Sequence, residues 1–160
     1  MDRLPPDIEL LMPGAKGKEA LLRAQRTGGG WFFRIAALSV INMIIVHSET
    51  GSYYPVGLSF VDLADEFFHS PALFFPVLAY IVSAIIWGIY VLFGYFAKQG
   101  KIWAFIIGLV AYAMDAVFYA VLPDKPSWLF IGFHVFVAFC IWRGLQAARK
   151  LKRATTPPLA

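Results

Sequence analysis

The chain is too apolar for a soluble domain: 59% of its 160 residues are hydrophobic, 15% are charged, and its mean hydropathy is +0.66. Soluble proteins carry about 25% charged residues, so the excess apolar surface requires lipid, and we predict an all-α integral membrane protein. The single cysteine, Cys140, excludes an internal disulfide, and the net charge of +4 matters less than where the charges lie.

Residues 1–30 are predicted to form a cytoplasmic tail. They contain no long apolar core and are interrupted by Pro5, Pro6 and Pro13, so we expect no cleaved signal peptide. The stretch LLMPGAKGKEALLRAQR ends in a basic amphipathic segment, which suits either a helix on the inner leaflet or a solvated tail. The three glycines at 28–30 are predicted to act as a hinge into the first span.

Four stretches have the length of about 20 mostly apolar residues that a membrane-spanning helix needs. The predicted spans are about 31–47, 72–97, 102–122 and 128–147, followed by a basic cytoplasmic tail at 148–160. The last two joints are too short for a crossover, so sequence neighbours should be antiparallel neighbours in space. We therefore predict an antiparallel bundle of four transmembrane helices over residues 31–147.

The lysines and arginines predict the orientation of this bundle. Of the 14 in the chain, all but Lys125 lie before span one or in its first turn, between spans two and three, or from Arg143 near the end of span four onward. The positive-inside rule then places both termini in the cytoplasm. These basic ends should attract anionic lipids, and because the charges lie beside the membrane we expect no binding to nucleic acid.

The segment 48–71 has no lysine or arginine and is predicted to lie outside. Four of its side chains share one helical face by i, i+3, i+4 and i+7 spacing, namely Asp62, Asp65, Glu66 and His69. This pattern predicts a short amphipathic helix that either lies on the outer leaflet or caps the bundle. Together with His47, the same side chains are candidate ligands for a divalent metal, although a solvated polar face is favoured.

Asp115 stands alone in the apolar stretch AYAMDAVFYA. Charged side chains within a span usually face protein and mark a function. Counting 1.5 Å per residue from the outer ends of the spans places Asp115 about 10 Å deep, His134 about 9 Å and Asn42 about 7–8 Å. We therefore expect Asp115 to hydrogen-bond His134 within a candidate ligand-binding polar layer made of Asp115, His134, Asn42, Ser39, Tyr112, Tyr119 and Ser83.

Two interpretations of this polar layer remain open. It is either a small pocket that opens outward, with a titratable pair at its base, or an interhelical clamp that fixes the register of the helices and binds nothing.

Three segments, WFFRIAALSVIN, GKIWAFIIGLVAYAMDAVF and IGFHVFVAFCIWRGLQA, resemble a group of small, uncharacterised bacterial membrane proteins with four predicted spans. The resemblance covers most of residues 29–147. It implies a multi-pass protein of the bacterial cytoplasmic (inner) membrane and brings no catalytic motif.

The sequence favours a non-enzymatic protein: an accessory subunit or a small-ligand-binding bundle, packed against itself as a homo-oligomer or against a partner membrane protein. It contains no phosphate-binding glycine loop and no HExxH, CxxC or GxSxG motif, and no cofactor is predicted. One alternative is a redox protein or enzyme that binds haem b or a metal through the outer-half histidines and carboxylates. The other is an oligomeric transporter or channel subunit.

Overall fold

The computed structural model describes residues 14–47, 58, 74–121 and 128–155. Over these residues the protein consists of four helices: α1 (Ala15–His47), α2 (Phe74–Lys98), α3 (Ile102–Val121) and α4 (Trp128–Thr155). Helices α1, α2 and α4 are long and apolar enough to cross a membrane, whereas the apolar helix Ile102–Phe118 within α3 is shorter. The described residues are therefore helical, as predicted, and their three long apolar helices indicate a multi-pass membrane protein.

The four helices enclose a shared core and turn apolar faces outward. Helix α1 packs most extensively against α4 and α2, and α3 packs against α4 and α2. Many large apolar side chains on the outer faces are more than half exposed, among them Ile81, Leu92, Val117, Val135 and Phe136. An apolar exterior of this kind is suited to lipid rather than water.

Helix α1 begins well before the predicted first span. It runs without interruption from Ala15 through the three glycines to His47, so the prediction of a hinge at 28–30 is wrong. Glycine within a helix costs about 0.5–1 kcal/mol relative to alanine. Tertiary packing offsets this cost here, because Gly28 and Gly29 are buried against other helices.

The glycines of α1 permit close contact with two neighbours. A Cβ atom on Gly28 would lie 2.6 Å from the Cα of Gly144 in α4, and a Cβ atom on Gly29 would lie 2.9 Å from the backbone nitrogen of Lys98 in α2. Both distances are shorter than any side chain tolerates. The glycines are therefore needed for helix approach, as small residues are at many membrane-helix interfaces.

Phe32 lies at the centre of the core. Its side chain is fully buried, and its ring centroid lies 6.3 Å from that of Tyr90, 6.0 Å from that of Phe93 and 6.4 Å from that of Phe105. Gly108 of α3 makes room for the ring, since a Cβ atom there would lie 2.5 Å from it. One side chain of α1 thus links α2 and α3.

Helix α2 ends in a glycine turn that α1 caps. Gly100 has a positive φ of 82°, and the amides of Gly100 and Lys101 donate to the carbonyls of Ala97 and Phe96, the pairing of a Schellman motif. The side-chain Nε2 of Gln25 in α1 donates to the Lys98 carbonyl at 3.0 Å. The segment of α1 before the predicted span is therefore part of the packed structure.

The remaining boundaries lie close to the predicted ones except at the end of the chain. Helix α4 continues to Thr155, eight residues beyond the predicted end of span four. The segment 48–71, with its predicted outer helix, lies outside the described residues apart from Leu58, which is 1% exposed and belongs to the hydrophobic core.

We expect Gly28→Ala to destabilise the protein and Gly88→Ala not to do so. The methyl group at Gly28 meets the backbone of α4, whereas a methyl group at Gly88 in α2 would have no neighbouring atom within 4 Å. Overpacking should lower the free energy of unfolding by about 1–3 kcal/mol for Gly28→Ala, while Gly88→Ala should leave it unchanged or raise it slightly. Thermal unfolding in detergent, followed by circular dichroism, measures both; equal midpoints would contradict the close approach.

Candidate functional site

The centre of the candidate site is a contact between Asp115 of α3 and His134 of α4. The Nε2 atom of His134 lies 3.3 Å from the Oδ2 atom of Asp115. The side chain of His134 is 3% exposed and that of Asp115 is 0% exposed. The expected pairing is therefore confirmed. With Nε2 protonated, His134 donates to the carboxylate, so the acid meets a polar partner instead of lipid.

Tyr112, one turn before Asp115 on α3, also contacts His134. Its ring stacks on the imidazole of His134, with centroids 4.9 Å apart and planes 11° from parallel, and its side chain is 1% exposed. Residues three apart on a helix share a face, so both Tyr112 and Asp115 can contact His134. Tyr112 stacks on the face of the imidazole, and Asp115 contacts the Nε2 atom at its edge. The imidazole therefore has a fixed orientation.

Three further polar atoms are buried and have no hydrogen-bond partner among the described residues: the hydroxyls of Tyr90 and Tyr112 and the indole nitrogen of Trp87. Both phenols lie within electrostatic range of the Asp115 carboxylate. A buried polar group without a partner costs about 1–3 kcal/mol, and native proteins usually satisfy it with water or a bound molecule. Of the three, the Tyr112 hydroxyl belongs to the residue that stacks on His134, so it is the donor that the site offers to an acceptor oxygen atom.

Tyr90 belongs near the polar layer although it was not among the predicted members. The residue lies seven positions, or two helical turns, after Ser83, and both are buried. This i, i+7 spacing on one face of α2 is the signal that identifies it. Tyr80, which lies one turn before Ser83, is instead 43% exposed.

The other members of the predicted layer are also buried where the structure describes them. Asn42 is 3% exposed and Ser83 2%. Ser39 donates to the Ile35 carbonyl at 2.9 Å and accepts a bond of 2.8 Å from the amide of Leu58. The structure thus brings Asp115, His134 and Tyr112 into direct contact, whereas Ser39 connects α1 to Leu58.

Several predicted residues cannot be placed in this site. The side chains of Tyr119 and His47 lie outside the described part of the structure, as do Asp62, Asp65, Glu66 and His69. Within the described ranges no three histidine, cysteine, aspartate or glutamate side chains form a group that could hold a metal ion.

A cavity of about 210 Å³ lies between α3 and α4 beside the pair. Tyr112 and His134 form its polar part. The remaining walls are small or aliphatic, namely Ala113, Ala116, Ala120, Ile131, Val135 and Ala138. Because Ala113, Ala120 and Val135 are exposed on the outer helix faces, the cavity adjoins the surface that would contact lipid.

No protein-family model, curated protein or solved structure matches this chain. The chemistry of the site therefore has to be inferred from its own residues. A carboxylate–imidazole pair can hold a hydrogen-bonding group or exchange a proton with it, and the buried phenols add donors.

A double-mutant cycle tests the pairing of Asp115 with His134. We expect Asp115→Leu and His134→Leu each to lower the free energy of unfolding in detergent. Each substitution removes the hydrogen bond between the two side chains and leaves the remaining polar group buried. The coupling energy should be about 0.6–2 kcal/mol, as for other interhelical hydrogen bonds in membranes. Strictly additive losses would mean that the contact contributes nothing to folding.

Proposed function

We propose that the chain crosses the bacterial cytoplasmic membrane four times, as an antiparallel bundle with both termini in the cytoplasm. Antiparallel packing is supported by the order of contacts: Gly28 meets Gly144, whereas Trp31, further along α1, meets Phe136, which is earlier in α4. Helix α3 has 20 residues, or about 30 Å at 1.5 Å per residue, which matches the hydrocarbon core.

The orientation is supported by the clustering of basic residues at one end of the helices. Gln25 contacts the α2–α3 turn, which carries Lys98 and Lys101, and Gly28 contacts α4 at Gly144. The basic part of α4 after Arg143 therefore lies at the same end as the basic part of α1. By the positive-inside rule this end faces the cytoplasm.

Reporter fusions test the orientation. Alkaline phosphatase, which is active only outside the cytoplasm, should be inactive when fused after Arg153 and active when inserted within residues 48–56. The reason is the 13 to 1 division of lysine and arginine between the two sides. The reverse pattern of activity would overturn the proposed topology.

We further propose that the bundle is a non-enzymatic binding protein for a lipid-soluble molecule with a hydrogen-bonding end group. The observation that carries this proposal is the cavity beside His134, in which one polar corner faces otherwise apolar walls. A ligand that enters from the bilayer would place a carbonyl or hydroxyl group against Tyr112 and His134. Asp115 would act by fixing the imidazole.

The size of the cavity limits the part of the ligand that it encloses. Sites that enclose a whole drug-sized molecule measure about 300–1,000 Å³, whereas this cavity measures about 210 Å³. It suits a single ring or a short chain. The rest of the ligand would then lie along the outer surface of α3 and α4, where apolar side chains such as Val117 and Val135 are exposed.

Filling the cavity tests this function. We expect native mass spectrometry of the full chain, purified in mild detergent, to detect one bound small molecule, and Ala116→Phe to remove it because the ring occupies the cavity. Ala84→Phe adds the same ring to an exposed position of α2 and should retain the molecule. If no molecule is bound, or if both variants retain it equally, the proposed binding function is contradicted.

Asp115→Asn separates a binding site from a structural clamp. The amide keeps a hydrogen bond to His134, so the thermal midpoint should stay close to that of the unchanged chain. A binding site would lose most of its ligand, because the charge that orients the imidazole is gone. A clamp would leave all measured properties unchanged, and that result would favour the structural interpretation.

A further inference from the structure

A second cavity, unrelated to the polar layer, lies at the basic end of the helices. It measures about 480 Å³ and lies between Leu21 and Ala24 of α1 and the stretch of α4 from Trp142 to Lys150. We call it the basic cleft; its lining residues are Leu21, Ala24, Trp142, Arg143, Gln146, Ala147 and Lys150. Gln25 and Gly28 keep this part of α1 packed against its neighbours, so the cleft is a feature of the folded structure.

Among the residues that the structure describes, the cleft carries positive charge and no neutralising acid. Arg143 and Lys150 lie seven residues apart on one face of α4, with Gln146 between them, and no carboxylate lines the cleft among the described residues. Those residues contain only two acidic side chains. Of these, Glu19 pairs with Arg23 at 2.9 Å, and Asp115 is buried against His134.

The cleft also has an apolar part near residue 147, the predicted end of span four, where the proposed topology places the inner surface of the membrane. Trp142 is 46% exposed, and its ring centroid lies 6.2 Å from that of Phe139. Tryptophan is enriched at the boundary between hydrocarbon and headgroups. Leu21, Ala24 and Ala147 provide an uncharged wall opposite. Cations, a hydrogen-bonding amide and an apolar wall therefore occur together at headgroup depth.

We propose that the basic cleft binds the headgroup of an anionic phospholipid. The phosphodiester oxygens would accept hydrogen bonds from the Arg143 guanidinium and the Lys150 ammonium, with the Gln146 amide nearby, and the first part of an acyl chain would lie against Trp142. Arginine and lysine are the usual phosphate ligands, and basic pockets between membrane helices bind anionic headgroups. The basic tail would attract many anionic lipids without selecting a position. The basic cleft would instead bind one lipid at defined residues.

The test compares two double variants with the same loss of charge. Arg143→Gln with Lys150→Gln removes the cations of the cleft, and Lys152→Gln with Arg153→Gln removes one lysine and one arginine from the same helix outside it. Phosphatidylglycerol and phosphatidylcholine with identical acyl chains are titrated onto the full chain in detergent and counted by native mass spectrometry. Circular dichroism shows that each variant remains helical.

We expect one phosphatidylglycerol to bind in preference to phosphatidylcholine. The cleft variant should weaken its binding about tenfold more than the control variant. Ala24→Phe, which fills the cleft without altering charge, should also weaken it. Equal losses in the two double variants would show that binding follows total charge, and the absence of a preference for phosphatidylglycerol would show that no anionic site exists; either result overturns the proposal.

Discussion

The structure depends on the need to keep the Asp115 carboxylate out of lipid. An aspartate near the centre of a span opposes insertion by about 2.5–3.5 kcal/mol, and this cost falls if the side chain faces protein. The requirement fixes the rotation of α3: Asp115, Tyr112 and Phe105 point inward, while Ile107, Val110 and Met114 on its other face are exposed. With that rotation set, His134 of α4 becomes the partner at the same depth.

At the basic end the helices approach more closely, because glycines lie at the crossings beside the hydrogen bond from Gln25 to the Lys98 carbonyl. Gly28 and Gly144 remove side chains from the α1–α4 crossing, and Gly29 does the same where α1 meets the end of α2. Van der Waals contact between backbones stabilises membrane helices where the hydrophobic effect cannot. Phe32 then fills the space between α2 and α3 just beyond these contacts.

The sequence predicted the parts of the fold that depend on regular helix geometry. A constant rise of 1.5 Å per residue was enough to match the depth of Asp115 with that of His134, and the apolar stretches located all four helices. It did not predict that α1 continues through residues 28–30, because the local preference of glycine for turns is overridden by contacts with residues far away in the chain, Lys98 and Gly144. The stacking of Tyr112 on His134 likewise depends on side-chain rotamers that spacing alone does not determine.

The α1–α4 and α3–α4 interfaces both contain small residues, yet they pack differently, and the polar pair explains why. Glycines at the first interface allow backbone contact between Gly28 and Gly144. At the second, the imidazole of His134 and the ring of Tyr112 stack on each other where α3 meets α4. The alanines on the outer side, Ala113, Ala116 and Ala138, are then too short to close the gap, and a cavity remains. The contact that keeps Asp115 buried against His134 therefore lies beside the cavity that we propose as the ligand site.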